Sequence, residues 1–257
     1  MQFGPLKLKR CRYGWMLYSG PYIGTSFDLY GEYSESEVAL MRRFLRDGDN
    51  VVDVGANIGD LTVPLAGMVG DSGRVYAIES HLETFNVLCA NLALNGIRNT
   101  KPINAFVADS EDVDTGSAWG KFAFVSQKWG ASFLALDQLD LPSCRLIKVD
   151  VDGKELEVLR SGEMLIERYR PVLYLENDVR EASGPLISYL TDKLGYSLYW
   201  HPAPIFQPQN FFGNSTNHWS PNNIVSIMML GLPDGTTDQV GDLRPVAGPQ
   251  DWWQQPA

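Results

Sequence analysis

The segment Val51-Val52-Asp53-Val54-Gly55-Ala56-Asn57-Ile58-Gly59-Asp60 decides how this chain folds. Its first four residues form a short, largely apolar run, the pattern of a strand buried on both faces. Gly55 lets the chain turn tightly as it leaves that strand, and Gly59 permits close approach where a helix begins. Strand, glycine turn and helix, in that order, open an α/β sheet. In such sheets ligands bind beyond the carboxyl ends of the strands, where strand order reverses.

The alternation continues outward from this segment. Residues 75–78, 102–107, 145–149 and 172–175 read as further strands. Ser34 with Glu37 three residues later has the spacing of a capping box, and Val38, Met41, Phe44 and Leu45 follow at helical spacing. Residues 59–69 read as a helix that Pro64 must bend or shorten. Phe85, Leu88, Cys89 and Leu92 mark one face of a helix closed by Asn95-Gly96. Leu156, Leu159, Leu165 and Ile166 mark another, and residues 186–194 a last one closed by Gly195. The final strands, 196–200 and 224–229, are joined by a long loop without an obvious crossover helix, which points to an antiparallel edge. The expected fold class is therefore α/β: a mostly parallel, Rossmann-like sheet with helices on both faces and an antiparallel edge strand. Residues 1–34, rich in Gly, Tyr and Ser, read as a β-rich extension or lid. Residues 35–232 read as the Rossmann-like domain and 233–257 as a flexible tail that could dock through its tryptophans. A hairpin is expected around 122–125.

Composition narrows the class. At 257 residues, 44% hydrophobic and 20% charged, the chain suits one globular domain. No apolar run approaches the ~20 residues of a membrane span, and the start lacks the apolar core of a signal peptide. Cys11, Cys89 and Cys144 are scattered without metal-ligand spacing, which fits a reducing compartment. A cytoplasmic protein is expected. The net charge of −10 repels a phosphate backbone, so no nucleic acid partner is expected. Homo-oligomerisation is left open.

The loop also selects its ligand. A dinucleotide fingerprint needs G-x-G-x-x-G, so that backbone can approach a pyrophosphate. Here Asn57 replaces the middle glycine, and Asp53 would repel phosphate. S-adenosylmethionine carries no phosphate; its ammonium and sulfonium suit an acidic loop. Glu79 ends the second strand 20 residues after Gly59, where a carboxylate can accept hydrogen bonds from ribose hydroxyls. An NAD-type oxidoreductase and a non-catalytic S-adenosylmethionine-binding protein remain as alternatives.

Three blocks of sequence resemble the FkbM-type methyltransferases, a branch of the class I fold: LYGEYSESE (29–37) with DGDNVVDVGANIGD, LDQL with LIKVDVDGKELEVLRSGE (146–163), and RPVLYLEND (170–178) leading to GYSLYWH and NNIVSIMML. They span about residues 18–232. The resemblance implies O-methylation of a hydroxyl on a sugar, glycan or secondary-metabolite acceptor. It implies S-adenosylmethionine contacts at Asp53, Gly55, Ala56, Asn57, Gly59, Glu79 and Ser80, with Asn104 and Asp109 near adenine. One departure stands out: relatives commonly read D-V-E-G where this chain has Asp150-Val151-Asp152-Gly153.

Methyl transfer needs the acceptor oxygen ~3 Å from the methyl carbon, opposite the sulfur, and a base for its proton. The ends of the fourth and fifth strands offer Lys148, Asp150 and Asp152, then Glu176, Asn177 and Asp178. Asp150 and Glu176 are the expected acceptor-handling groups. Lys148 is either a partner in catalysis or an ion pair that orders the sheet end. Oxygen ligands such as Asp150, Glu176 and Asn177 would suit Mg²⁺ or Ca²⁺, but no metal is assigned. His201, ending a strand, is a second candidate base; its bland reading is a hydrogen-bonded loop histidine. The aromatics and amides between Phe206 and Trp219 read equally as sugar platform or as loop packing. Tyr30, Glu32 and Tyr33 are candidates for a lid over the cofactor.

Overall fold

The computed structural model describes residues 2–3, 5–108, 132–220, 225–233 and 240–254. The expected hairpin at 122–125 lies outside them, as does Asp109.

Among the described residues, nine strands form the main sheet. The central four, β4 (Asn50–Val54), β5 (Arg74–Glu79), β8 (Leu146–Val149) and β9 (Val172–Glu176), are apolar and almost wholly buried. They pair in parallel, with β6 (Thr100–Val107) and the short β7 (Ser132–Leu134) beyond β5. The expected antiparallel join is present: β10 (Tyr196–Pro204) returns as β11 (Val225–Pro233), and β11 inserts between β9 and β10. The two-residue β12 (Arg244–Pro245) closes that edge. The order β12-β10-β11-β9-β8-β4-β5-β6-β7 runs one way from β4 through β5 and the other way from β8. The reversal between β4 and β8 opens a crevice at the strands' carboxyl ends.

Alternate residues of each strand feed two cores, as the two-residue repeat requires. Val51, Val75, Leu146, Tyr174 and Leu230 face one side; Val52, Ile78, Ile147, Leu175 and Met229 face the other. The first side is covered by α2 (Glu35–Met41), α3 (Thr62–Val69), α4 (Leu82–Leu94) and a small antiparallel sheet, β1 (Gln2–Phe3), β2 (Leu6–Cys11) and β3 (Gly14–Tyr18). Asn91 of α4 ties this sheet down. Its amide accepts from the Leu17 N–H at 2.7 Å and donates to Leu17 O and Ile58 O. The second side is covered by α5 (Glu155–Arg160), α6 (Glu163–Tyr169) and α7 (Arg180–Ser188).

Several elements depart from the sequence expectations. The helix after the glycine loop starts only at Thr62, so Pro64 falls in its first turn, where its missing N–H is harmless. Ser34 is not a conventional cap: its φ is 45° and its hydroxyl bonds the Glu37 carboxyl rather than a backbone N–H. The single helix expected across 156–166 is two, divided at Gly162, where a Cβ would lie 2.6 Å from Leu136 Cβ. A helix α1 (Ile23–Tyr30) interrupts the expected β-rich extension.

Residues 240–254 of the tail pack onto the sheet edge. Trp252 meets Trp200 edge to face, 5.9 Å between centroids. Asp251 accepts from Arg244 Nη1 at 2.9 Å, Trp200 Nε1 at 3.1 Å and the Ala247 N–H at 2.9 Å. Removing that carboxylate would strand buried donors. Asp251→Ala should therefore lower the free energy of unfolding by ~2–3 kcal/mol in urea titration; unchanged stability would mean the tail does not pack here.

Candidate functional site

A cavity of about 1070 Å³ fills the crevice between the β4 and β8 ends. Its walls come from the loop after β4, the ends of β5, β6, β8 and β9, the start of β11, and Tyr22, Ile23 and Tyr33 of the N-terminal segment.

The glycine loop has the shape its sequence requires. Gly55 has φ +73°, and a Cβ there would lie 1.9 Å from the Asp150 carbonyl oxygen. The two strand ends approach each other that closely only because position 55 has no side chain. Gly55 and Ala56 donate their N–H groups to Ile78 O, each at 3.0 Å. Asn57 takes φ +48°, and its N–H reaches Glu79 Oε2 at 2.9 Å. Asn tolerates this left-handed conformation better than most residues. Gly59, at φ +89°, leaves room for Leu88.

Of the residues expected at the cofactor, Gly55, Asn57, Glu79 and Ser80 line the cavity; Asp53, Ala56, Gly59 and Asn104 do not. Asp53 is fully buried. It accepts from the Thr62 hydroxyl at 2.6 Å and lies 3.4 Å from Lys148 Nζ, so it is a counter-ion beneath the loop. Asn104 donates its amide to the carbonyls of Glu79 and Ser80 at 2.8 and 3.2 Å, which fixes the β5 end from below. Glu79 Oε1 accepts the His81 N–H at 2.7 Å. Burial, the largest influence, raises the Glu79 pKa despite these bonds.

The opposite wall carries the charge. Lys148 is 2% exposed. Its ammonium donates to Gly55 O at 2.8 Å and lies 3.6 Å from Asp150. Burial pulls its pKa down, but Asp150, Asp53, Asp60 and Glu37 together outweigh burial and hold it protonated. Glu176 accepts the Asp152 N–H at 3.2 Å. Its carboxyl is pushed up to about 10, first by burial, then by Asp150 and Asp178. Asp178 is raised as well, by burial and then by Asp150. Asp152 is held at φ +52° while Glu155, 2% exposed, accepts the N–H groups of Val151 and Gly153.

His201 is displaced from this chemistry. It bonds Tyr174 Oη at 2.7 Å and does not line the cavity. Burial, with Arg43 nearby, lowers its pKa to about 4. Asn177 is buried, its side-chain amide donates to Met229 Sδ at 3.6 Å, and it does not line the cavity with Asp150 and Glu176. The loop after β10 packs on itself and on α1: Tyr30 is fully buried against Phe206, donates to Thr216 O and accepts from the His218 N–H. Asn214 donates to Leu29 O and accepts from the Thr216 N–H. From this loop only Ile205 reaches the cavity among the described residues. Sequence reasoning missed Asp60, which lines the cavity with an unpartnered Oδ1. The only signal was its place at the end of the glycine loop.

Glu37, Asp60 and Glu155 are each pushed up to about 7, with burial the largest cause in all three. A carboxyl with a folded-state pKa above its unfolded value holds its proton more tightly when folded. Its contribution to stability is complete below about 4 and is lost as pH rises through about 7. The melting temperature of the ligand-free protein should therefore fall between pH 5 and pH 8 in calorimetric scans. A rise across that window would contradict the placement of these groups.

Comparison with known proteins shows the family of the chain. Residues 53–198, more than half of the chain, match the model of the methyltransferase FkbM domain. A stretch of 62 residues is 36% identical to the "Probable cobalt-precorrin-6B C(15)-methyltransferase (decarboxylating)" of Saccharolobus solfataricus, covering 24% of this chain and 31% of that protein. A stretch of 68 residues is 40% identical to the tRNA(Phe) (4-demethylwyosine(37)-C(7)) aminocarboxypropyltransferase of Methanocaldococcus jannaschii, covering 26% of each. The matched stretches thus span about a third or less of these relatives. The crystal structure of precorrin-6y C5,15-methyltransferase from Geobacter metallireducens superposes with a TM-score of 0.51 at 17% identity, over 77% of this chain and 87% of that one, a likeness of fold. The chain belongs to the FkbM-type, S-adenosylmethionine-dependent methyltransferases.

Proposed function

We propose that this protein transfers a methyl group from S-adenosylmethionine to a hydroxyl of a small acceptor: a sugar, a glycan or a secondary metabolite. The observation that carries the reading is the carboxyl pair Asp150 and Glu176 on the cavity wall, across from Glu79 and the glycine loop. Glu176, raised by burial and by Asp150 beside it, serves as the proton-bearing partner, and Asp150 as the base.

The donor side fits a nucleoside that bears an ammonium. Each Glu79 oxygen already accepts one backbone N–H and keeps a lone pair for a ribose hydroxyl. Asp60 offers its unpartnered oxygen beside the loop to an ammonium. When bound, S-adenosylmethionine supplies an electrophilic methyl on a sulfonium. Asp150 accepts the proton of the acceptor hydroxyl as the oxygen attacks. Glu176, carrying its own proton, limits the negative charge beside Asp150 and can donate to a neighbouring acceptor oxygen. Lys148 holds Asp150 and the loop after β4 in one arrangement, so the two halves of the reaction stay in register.

The same acidity argues against nucleic acid as acceptor: a net charge of −10 and acidic cavity walls repel phosphate. The free cysteines Cys11, Cys89 and Cys144 favour a reducing, cytoplasmic setting.

Two measurements test the assignment. By titration calorimetry, Glu79→Ala should weaken S-adenosylhomocysteine binding at least about tenfold, equivalent to ~1.4 kcal/mol, with folding intact. Retained affinity, or NAD binding in its place, would misplace the donor site. In Asp150→Asn, transfer of labelled methyl to a panel of monosaccharides and glycosides should drop ~100-fold or more while S-adenosylhomocysteine still binds. Unchanged turnover would remove Asp150 as the base.

A further inference from the structure

Tyr33 lies outside the stretch that matches the family model, yet it lines the cavity with Asp60, Asp150 and Glu176. Most other buried or half-buried tyrosines bond their hydroxyls to protein: Tyr13 to Glu35, Tyr18 to Asp28, Tyr169 to Leu141 O, Tyr196 to Pro171 O. Tyr33 makes no such bond among the described residues.

Its position is built with care. The next residue, Ser34, is fully buried and held at φ +45°, a conformation that disfavours a side chain. Three bonds enforce it: the Ser34 hydroxyl to the buried Glu37 carboxyl, and the N–H groups of Glu37 and Val38 to Ser34 O. Backbone strain of this kind concentrates where a side chain must be aimed. Among the described residues, Asn57 and Asp152, two of the three other non-glycine residues at positive φ, line the same cavity.

The surroundings define what the hydroxyl can do. Burial first, then Asp60, Glu37, Asp150 and Glu176, raise the Tyr33 pKa, so the phenol keeps its proton and acts as a donor. Tyr33 shares one cavity with Asp60 on the proposed donor side and with Asp150 and Glu176 on the proposed acceptor side.

We propose that Tyr33 is a catalytic residue that donates a hydrogen bond to the acceptor oxygen and aims its attacking lone pair at the methyl group. This rests on the O-directed reading above. In the step, the acceptor oxygen forms the new O–C bond, the C–S bond breaks with its electron pair going to sulfur, and the hydroxyl proton goes to the Asp150 carboxylate. Tyr33 keeps its own proton throughout.

Tyr33→Phe keeps the ring and removes the hydroxyl. Wild type is first assayed with labelled S-adenosylmethionine against a panel of monosaccharides and glycosides. If it methylates no hydroxyl, the O-directed reading falls and this assignment falls with it. Where wild type turns over an acceptor, Y33F should lower kcat/KM for it at least tenfold and leave the S-adenosylhomocysteine Kd within twofold. Equal turnover overturns the assignment, and so does an equal loss of cofactor affinity, which would make Tyr33 part of the donor site. If Y33F does not fold, the ¹³Cζ shift of Tyr33 in wild type reads the same contact: it should move when that acceptor joins the S-adenosylhomocysteine complex. A still resonance overturns the proposal.

Discussion

Lys148 donates to the Gly55 carbonyl at 2.8 Å and lies 3.4 Å from Asp53 and 3.6 Å from Asp150. An isolated ammonium at this depth would cost several kcal/mol in lost hydration. Here the carboxylates offset that cost, and the interaction joins elements distant in sequence. Asp53 stands on β4, Gly55 begins the turn, and Asp150 follows β8. The register places Asp53 directly beside Lys148 across the parallel pair. A one-residue slip would turn either charge into the opposite, apolar core. The ammonium thus fixes both the register of the central strands and the relation between the two walls of the cavity. Gly55 completes the arrangement, since its missing Cβ lets the Asp150 carbonyl approach.

The acids around that cation have separate environments. Asp53 is fully buried and paired. Glu79 is held by backbone N–H groups from the glycine loop and the start of α4. Glu176 is protonated because it is buried beside Asp150 and Asp178. Similar side chains therefore stand as paired counter-ion, backbone-held carboxylate and protonated acid. Environment sets the role, as is general where carboxyls crowd a cleft.

Much of this was readable in advance. Each central strand appeared as an apolar run because both its faces are buried, and the glycine loop because its backbone tolerates no side chain at position 55. What stayed hidden depends on contacts between distant residues. Asp53 read as a cofactor ligand, since nothing local reveals that Lys148 and Thr62 occupy it. His201 read as a base, since only the folded sheet sets it against Tyr174. Asn104 read as an adenine contact, whereas its amide faces the β5 carbonyls. The tail looked mobile by composition, yet one buried aspartate and two tryptophans anchor it. Ser34 and Glu37 have the spacing of a capping box, yet the Ser34 hydroxyl meets the Glu37 carboxyl instead of a backbone N–H, because Ser34 sits at φ +45° where α2 begins.

The central claim is that donor and acceptor meet between the Glu79 wall and the Asp150–Glu176 wall. A crystal structure with S-adenosylhomocysteine tests it most directly. The account predicts ribose hydroxyls at ~2.7 Å from the Glu79 carboxylate and the thioether sulfur turned toward Asp150 and Glu176. A nucleoside bound away from Glu79, or a sulfur turned away from that carboxyl pair, would contradict it.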